Sequence, residues 1–324
     1  MRTPDTDISV VICSYTFDRW DGLIAAVESA LAQTVPPKEV IVVIDHNPEL
    51  LEQARRELPR ATVIPSENLP GISGARNAGL DAATGEILAY LDDDAIASET
   101  WLRDILAGYT SQQVLGVMGL IAPMWEAERP GWFPEEFDWV IGCTYLGMPA
   151  GGQVRNLFGA DSFVREILAE AGGFSLDLGR TSTQALGGEE TGACIRISQL
   201  YPDGLFVYTG DGRVDHHVPA SRTTWKYFRQ RCWGEGISKA SLARLVGTRA
   251  GLSSERHYTL VTLPSGVGRA LSSFARGYRA GLARAAALVS GLTVTGTGYV
   301  VGSVKLRIQA IAEWMGGGSG GNTN

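Results

Sequence analysis

Three consecutive acids, Asp92-Asp93-Asp94, close the apolar run from Ile87 to Leu91. Like charges at the end of a strand repel one another, and a divalent cation relieves that cost. Oxygen ligands suit Mg2+ or Mn2+, ions that bind through a few carboxylates together with substrate phosphates. A second acidic pair, Glu189-Glu190, follows Gly187-Gly188 and opens a helical run, Thr191 to Leu200. Asp45 ends another apolar run, Val40 to Ile44, and Arg76 stands just behind Gly74 at a helix start. A guanidinium and the backbone N–H groups of a helix start together can hold a diphosphate. Each group also has a plainer use. The triplet can cap a helix, Asp45 can make a turn with His46, Asn47 and Pro48, and Arg76 can pair with a nearby acid. Glu189 and Glu190 can complement a helix dipole, with Arg196 as a partner, and His216-His217 can be a core pair.

The elements that position these groups alternate in type. Strand-like runs at Ile8 to Cys13, Val40 to Ile44, Ala61 to Pro65 and Ile87 to Leu91 enclose helical stretches at Trp20 to Gln33, Leu50 to Leu58 and Ile72 to Ala83. Fully apolar strands of this length belong to a parallel sheet covered on both faces. The expected fold is therefore α/β, a Rossmann-like, doubly wound mixed sheet with helices on both faces. Ligands of such sheets sit beyond the carboxyl ends of the strands, where Ser14, Asp45 and Asp92 fall. Trp125 to Trp139, rich in Trp, Phe, Pro and Glu, reads as a long surface loop. From Ser221 onward the alternation stops and helices dominate. The division is residues 1–220 for a nucleotide-sugar and catalytic domain, 221–315 for a basic helical extension, and 316–324 for a disordered Gly/Ser/Asn-rich tail.

The ordered set Cys13-Ser14-Tyr15, Val42-Val43-Ile44-Asp45, Gly74-Ala75-Arg76-Asn77-Ala78-Gly79, Asp92-Asp93-Asp94, Gly159-Ala160-Asp161, Gly188-Glu189-Glu190 and Asp215-His216-His217 resembles the family 2 glycosyltransferases of the GT-A fold. The resemblance runs over roughly residues 8 to 240. It implies an inverting, metal-dependent transfer of sugar from a nucleoside diphosphate sugar to an acceptor hydroxyl. By that likeness Asp45 accepts a hydrogen bond from a pyrimidine N–H, which points to a UDP-sugar. Ser14, Tyr15, Arg76 and Asn77 belong to the nucleotide side, as do Asp92 and Asp93 and the Gly159-Ala160-Asp161 turn. Asp94 and Asp92 hold the metal, and a C-terminal histidine completes its site, His216 first and His217 second. An imidazole among carboxylates favours Mn2+ over Mg2+. The family has Glu-Asp where this chain has Glu189-Glu190, and the second acid is its general base, so Glu190 takes that role with Glu189 as the alternative. Arg231-Cys232-Trp233 resembles the Q-x-x-R-W element of processive relatives but has Cys232 in place of its Arg, so processive synthesis is not expected. Arg231 or Lys239 remains a candidate contact for the diphosphate.

Composition narrows the partners. Hydrophobic residues make up 44% and charged residues 19% of the 324, the balance of a chain that buries a core. A formal charge of −7 argues against nucleic acid as a partner. Cys13, Cys143, Cys194 and Cys232 form no C-x-x-C pair and read as free thiols in a reducing compartment. Met1 to Ser14, with acids at Asp5 and Asp7, lacks the apolar core of a signal peptide, so the reading is cytoplasmic. Arg256 to Ala312 carries seven basic residues and no acid. That segment fits an anionic membrane surface on the cytoplasmic side and a glycan or lipid-linked acceptor. Within it, Ala285 to Val304 has no charge, but its Gly, Thr and Ser content favours an in-plane or shallow re-entrant contact over a span. Two rival functions are a sugar nucleotidyltransferase and a non-catalytic sugar-nucleotide-binding membrane protein. The first expects a Gly-rich loop after the first strand, where this chain has Ser14 to Arg19. Intact metal, base and nucleotide candidates argue against the second.

Overall fold

In the computed structural model, which describes residues 7–179, 187–246 and 257–316, four parallel strands stand side by side, two of them ending at Asp45 and Asp92. These are β1 (Ile8–Ser14), β2 (Glu39–Asp45), β3 (Thr62–Ser66) and β4 (Ile87–Asp92). β1 pairs with both β2 and β4, and β2 pairs with β3. Parallel neighbours require crossover connections, supplied by α1 (Trp20–Leu31), α2 (Pro48–Glu57) and α3 (Ile72–Ala82). Successive side chains of a strand face opposite sides. Val10 and Ile12 therefore pack with Leu23 of α1 and Leu50 of α2, whereas Val11 and Cys13 pack with Ala75 and Leu80 of α3. Both faces are covered, which is why the strands are apolar throughout.

β5 (Ala95–Ala97), α4 (Trp101–Gly108), β6 (Val114–Met118), β7 (Ile121–Trp125), β8 (Gly152–Val154), β9 (Asp161–Val164), α5 (Arg165–Glu170), α6 (Glu189–Leu200), β10 (Leu205–Tyr208) and β11 (Val214–Val218) follow. The main sheet has the order β3-β2-β1-β4-β9-β6-β10-β8, with β9 antiparallel to both its neighbours. The mixed sheet expected from the sequence is present. A second, three-stranded sheet, β5-β11-β7, sets His216 in register with Ala95, the residue after the acid triplet.

The segment Trp125 to Trp139 is not a surface loop. Phe133 and Phe137 are fully buried, and a 3-10 helix runs over Glu135–Ile141. Its aromatic residues are needed to seat the C-terminal helices. Trp132 stacks on Trp225 with ring centroids 4.2 Å apart, and Phe137 meets Phe228 at 5.2 Å.

Those helices are α7 (Trp225–Val246), α8 (Leu263–Ala275) and α9 (Ala280–Gly316). Phe228, Cys232, Leu263, Ala270 and Leu288 join the same apolar cluster as Val10 and Ile12. Gly236 and Gly298 face the opposing backbones of α9 and α7, where a Cβ would collide, so the two helices cross in close contact. α9 spans about 55 Å at the usual rise, and Ala280–Gln309 is long and apolar enough to cross a membrane by length and composition, with 33% of its most apolar window buried. Ala285 to Val304, read from the sequence as an in-plane or shallow re-entrant contact, lies within the single helix α9. Thr293 and Thr297 donate their hydroxyls to the carbonyls of Val289 and Thr293 at 2.8 Å, so these two hydroxyls are satisfied within an unbroken helix. Arg256 and the tail from residue 317 lie outside the described residues.

Candidate active site

The carboxyl ends of β1, β2 and β4 open into a cleft of about 1100 Å³, roofed by residues of α7, α8 and α9. Asp92, Asp94 and His216 line it, and one ligand atom from each lies within 4.8 Å of the others. Asp94 Oδ1 is 3.3 Å from His216 Nε2. The pairing of β11 with β5 makes this contact, and it also separates the two histidines. His217 donates its backbone N–H to the Asp94 carbonyl at 2.8 Å, while alternation along β11 buries His216 and leaves His217 half-buried. Burial works to raise the Asp94 carboxyl, but His216, Arg19 and Arg222 outweigh it and hold the pKa far below the ordinary range.

Asp93, the middle acid, turns away from this triad. Ser14 donates its hydroxyl to Asp93 Oδ2 at 2.7 Å, and Arg19 donates to Oδ1 at 2.6 Å. Burial pushes the Asp93 carboxyl up to about 6 against the pull of Arg19. Ser14 and Asp93 thus brace the loop. Tyr15 is 53% exposed at the rim. Asp45 is fixed by two contacts, the N–H of Gly71 at 2.8 Å and His46 Nδ1 at 2.7 Å.

Across the cleft floor, Arg76 gathers the remaining acids. It donates to Glu190 Oε1 at 2.7 Å and lies 3.5 Å from Glu189 and 3.6 Å from Asp92. The ion pair considered for Arg76 from the sequence is therefore what forms, and Arg196 is not the partner of these acids. Arg196 instead donates to the carbonyls of Ala171 and Gly173. Gly188, at φ 94°, makes the left-handed turn that starts α6 and points both glutamates inward. Burial works to raise the Glu190 carboxyl, but the charge and hydrogen bond of Arg76 outweigh it and keep it below its usual value. The Arg76 pair thus favours the carboxylate form of Glu190.

Three residues expected at the substrate stand behind the cleft wall. Asn77 spends its amide on the backbone N–H and carbonyl of Phe174, both at 2.8 Å. Ala160 and Asp161 are buried, and neither oxygen of Asp161 has a hydrogen-bond partner among the described residues. Burial pushes the Asp161 carboxyl well above the ordinary range, against the pull of Arg76. Gly159 does reach the cleft, and its N–H points to Glu190 Oε1 at 3.4 Å. Arg231 and Lys239 line the roof, Lys239 in an ion pair with Glu235 at 2.9 Å.

Sequence reasoning missed Arg19 and Arg222, which lie 3.4 and 3.2 Å from Asp94 Oδ2. It also missed the aromatic wall of Trp139, Tyr145 and Tyr258. The signal for Arg222 was its place five residues beyond the histidine pair, at the head of a basic stretch.

A glucosyl-dolichyl phosphate glucuronosyltransferase of Haloferax volcanii is 32% identical over 238 residues, covering 72% of this chain and 76% of the relative. The chain belongs to glycosyltransferase family 2. The profile described as glycosyl transferase family 2 matches residues 9–153, from within β1 to within β8, and includes the acid triplet. The succinoglycan biosynthesis protein ExoM of Rhizobium meliloti is 26% identical over 246 residues, covering 72% of this chain and 74% of its own. Among solved structures, a mannosyltransferase from Pyrobaculum calidifontis in complex with GDP-Man and Mn2+ aligns with a TM-score of 0.57 at 18% identity, over 93% of this chain and 87% of that one. That likeness extends the shared GT-A fold into the C-terminal helices. Membership makes the chain a glycosyltransferase and disposes of the two rival functions.

Proposed function

We propose that the chain transfers a sugar from a nucleoside diphosphate sugar, UDP-sugars first, to a hydroxyl of a lipid-linked acceptor, with inversion and with a divalent ion. The observation that carries this reading is the Asp92–Asp94–His216 triad facing the same cleft as Glu190. The donor set fits such an ion. Two carboxylates and one imidazole converge, and the other His216 ring nitrogen, Nδ1, is buried without a hydrogen-bond partner among the described residues. When bound, Mn2+ or Mg2+ supplies Lewis-acid stabilisation of the leaving diphosphate. Glu190, with Glu189 as the alternative, takes the proton of the acceptor hydroxyl as that oxygen attacks the anomeric carbon from the face opposite the nucleotide. Arg76 keeps the base ionised, and Asp45, held by Gly71 and His46, presents its carboxylate to the base of the nucleotide.

Two observations support the lipid-linked acceptor. The Haloferax relative carries dolichyl phosphate in its name. α9 exposes Leu282, Val289, Val300, Val304 and Ile308 beside Lys305 and Arg307, a surface suited to the cytoplasmic face of an anionic membrane.

Thermal-shift measurement against a panel of nucleoside diphosphate sugars, with and without Mn2+, tests the reading. One donor should stabilise the protein only with the metal. Asp94→Ala should remove that shift together with transfer. Full transfer activity in excess EDTA would overturn the metal-dependent mechanism.

A further inference from the structure

Asp94 is contested. Its Oδ1 faces His216, while Oδ2 is held by Arg222 Nη2 at 3.2 Å and lies 3.4 Å from Arg19 Nη1. A divalent ion that uses this carboxylate must share it with, or take it from, two guanidinium groups. Those groups differ in how firmly they are tied. The same Nη1 of Arg19 is closer to Asp93 Oδ1, at 2.6 Å, so Arg19 has an anchor of its own. Among the described residues, Arg222 forms its ion pair with Asp94. Arg222 sits on the single 3-10 turn Ala220–Thr223 that joins β11 to α7, its side chain is 12% exposed, and it lines the cleft.

A cation brought within a few ångströms of Arg222 repels it strongly in a poorly solvated site. Arg76 with its three acids closes the floor on one side, so the open direction for Arg222 is the cleft. A planar guanidinium with several donors matches phosphate oxygens. We propose that Arg222 is an exchange cation, neutralising Asp94 until a divalent ion arrives and then turning to the donor diphosphate, so that ion and nucleotide bind cooperatively. This rests on the reading of Asp92, Asp94 and His216 as the metal site. It adds a consequence that site alone does not have: the resident arginine weakens binding of the ion when no nucleotide is present.

The test uses the full chain, with Mn2+ alone titrated by electron paramagnetic resonance and UDP titrated by calorimetry with and without Mn2+. In the wild type, UDP should tighten Mn2+ binding by a factor on the usual scale of coupled sites, about 5 to 150. Arg222→Gln should bind Mn2+ alone about tenfold more tightly, and the factor contributed by UDP should shrink. Arg222→Lys, which keeps the charge, should restore weak binding of Mn2+ alone, and it carries the comparison if Arg222→Gln does not fold. Unchanged or weaker Mn2+ binding in Arg222→Gln, with wild-type coupling to UDP, overturns the exchange and leaves the metal site standing. Absence of Mn2+ binding to the wild type and both variants, with or without UDP, overturns the metal site and the exchange together.

Discussion

Arg76 and Glu190, 114 residues apart in the sequence, meet in a 2.7 Å hydrogen-bonded ion pair at the floor of the cleft. Their side chains are 4% and 11% exposed, so water contributes little to solvating either charge. Arg76 also lies beside the rings of Tyr90 and Phe174, each centroid 5.5 Å from its guanidinium carbon. One cation thus links α3 to the start of α6 and offsets the repulsion among Glu190, Glu189 and Asp92. It is a structural strut and an electrostatic support of the proposed base at once.

Removing Arg76 should therefore cost stability before it costs anything else. Arg76→Met fills similar volume but leaves buried carboxylates without their counter-charge. Breaking a buried pair in this way costs about 3–5 kcal/mol. Urea denaturation should show a loss of that size at neutral pH. A loss within a few tenths of a kcal/mol would mean that the acids find other compensation.

Glu190 and Glu189 differ in their distance from Arg76, 2.7 against 3.5 Å, and both line the cleft. Glu190→Gln should lower turnover by roughly a hundredfold or more, the scale of general-base loss, while the donor-induced thermal shift persists. Glu189→Gln should have the smaller effect on turnover. The reverse order of the two variants would move the base by one residue.

Much of this site was legible in the sequence because the information was local. The apolar runs before Asp45 and Asp92 specify buried parallel strands, and such strands deliver their last residues to one edge of the sheet. The triad itself depended on a strand pairing, β11 against β5, that no periodicity reveals. Asn77 and Asp161 were misplaced for a related reason. Their types suit ligand contact, but helix and strand rotation turns Asn77 toward Phe174 and Asp161 into the interior. The aromatic stretch Trp125 to Trp139 read as a loop because its partners, Trp225 and Phe228, lie almost a hundred residues away. Arg222 had only its place beyond the histidine pair to mark it, and that place does not reveal which acid it meets.

Asp138 provides a pH-dependent check on that aromatic segment. Burial pushes its carboxyl up to about 6, with Arg129, bonded at 2.6 and 3.1 Å, opposing and the nearby Glu135 and Glu136 adding to the rise. A carboxyl whose folded pKa lies above its unfolded value of about 3.9 favours the folded state at low pH. Its contribution falls as pH rises from about 4 to about 6 and is constant above that. Asp138→Asn removes the titration. The stability of the wild type relative to Asp138→Asn should drop by up to about 3 kcal/mol between pH 4 and pH 7. A difference that stays level across this range would show that the ion pair with Arg129 cancels the burial.

The exposed face of α9 makes the last prediction. Val300, Val304 and Ile308 are 59%, 50% and 61% exposed, an unusual cost for apolar side chains in water unless something covers them. Lys305 and Arg307 stand exposed in the same turns, and no acid lies between Arg256 and Ala312. Each basic group near an anionic bilayer contributes about 1 kcal/mol, so a few of them together with buried apolar side chains suffice to hold the chain at the surface. Deleting the C-terminal helices would not test this, because Leu263, Ala270 and Leu288 belong to the core shared with the sheet. The full chain is the proper object. It should float with anionic vesicles, less so at high salt, where screening weakens the charge contribution. Val304→Asp with Ile308→Asp should abolish flotation while the donor-induced thermal shift remains, since neither residue lines the cleft. A full chain that stays in the soluble fraction at low salt would remove the membrane surface from the proposal, and with it the structural argument for a lipid-linked acceptor.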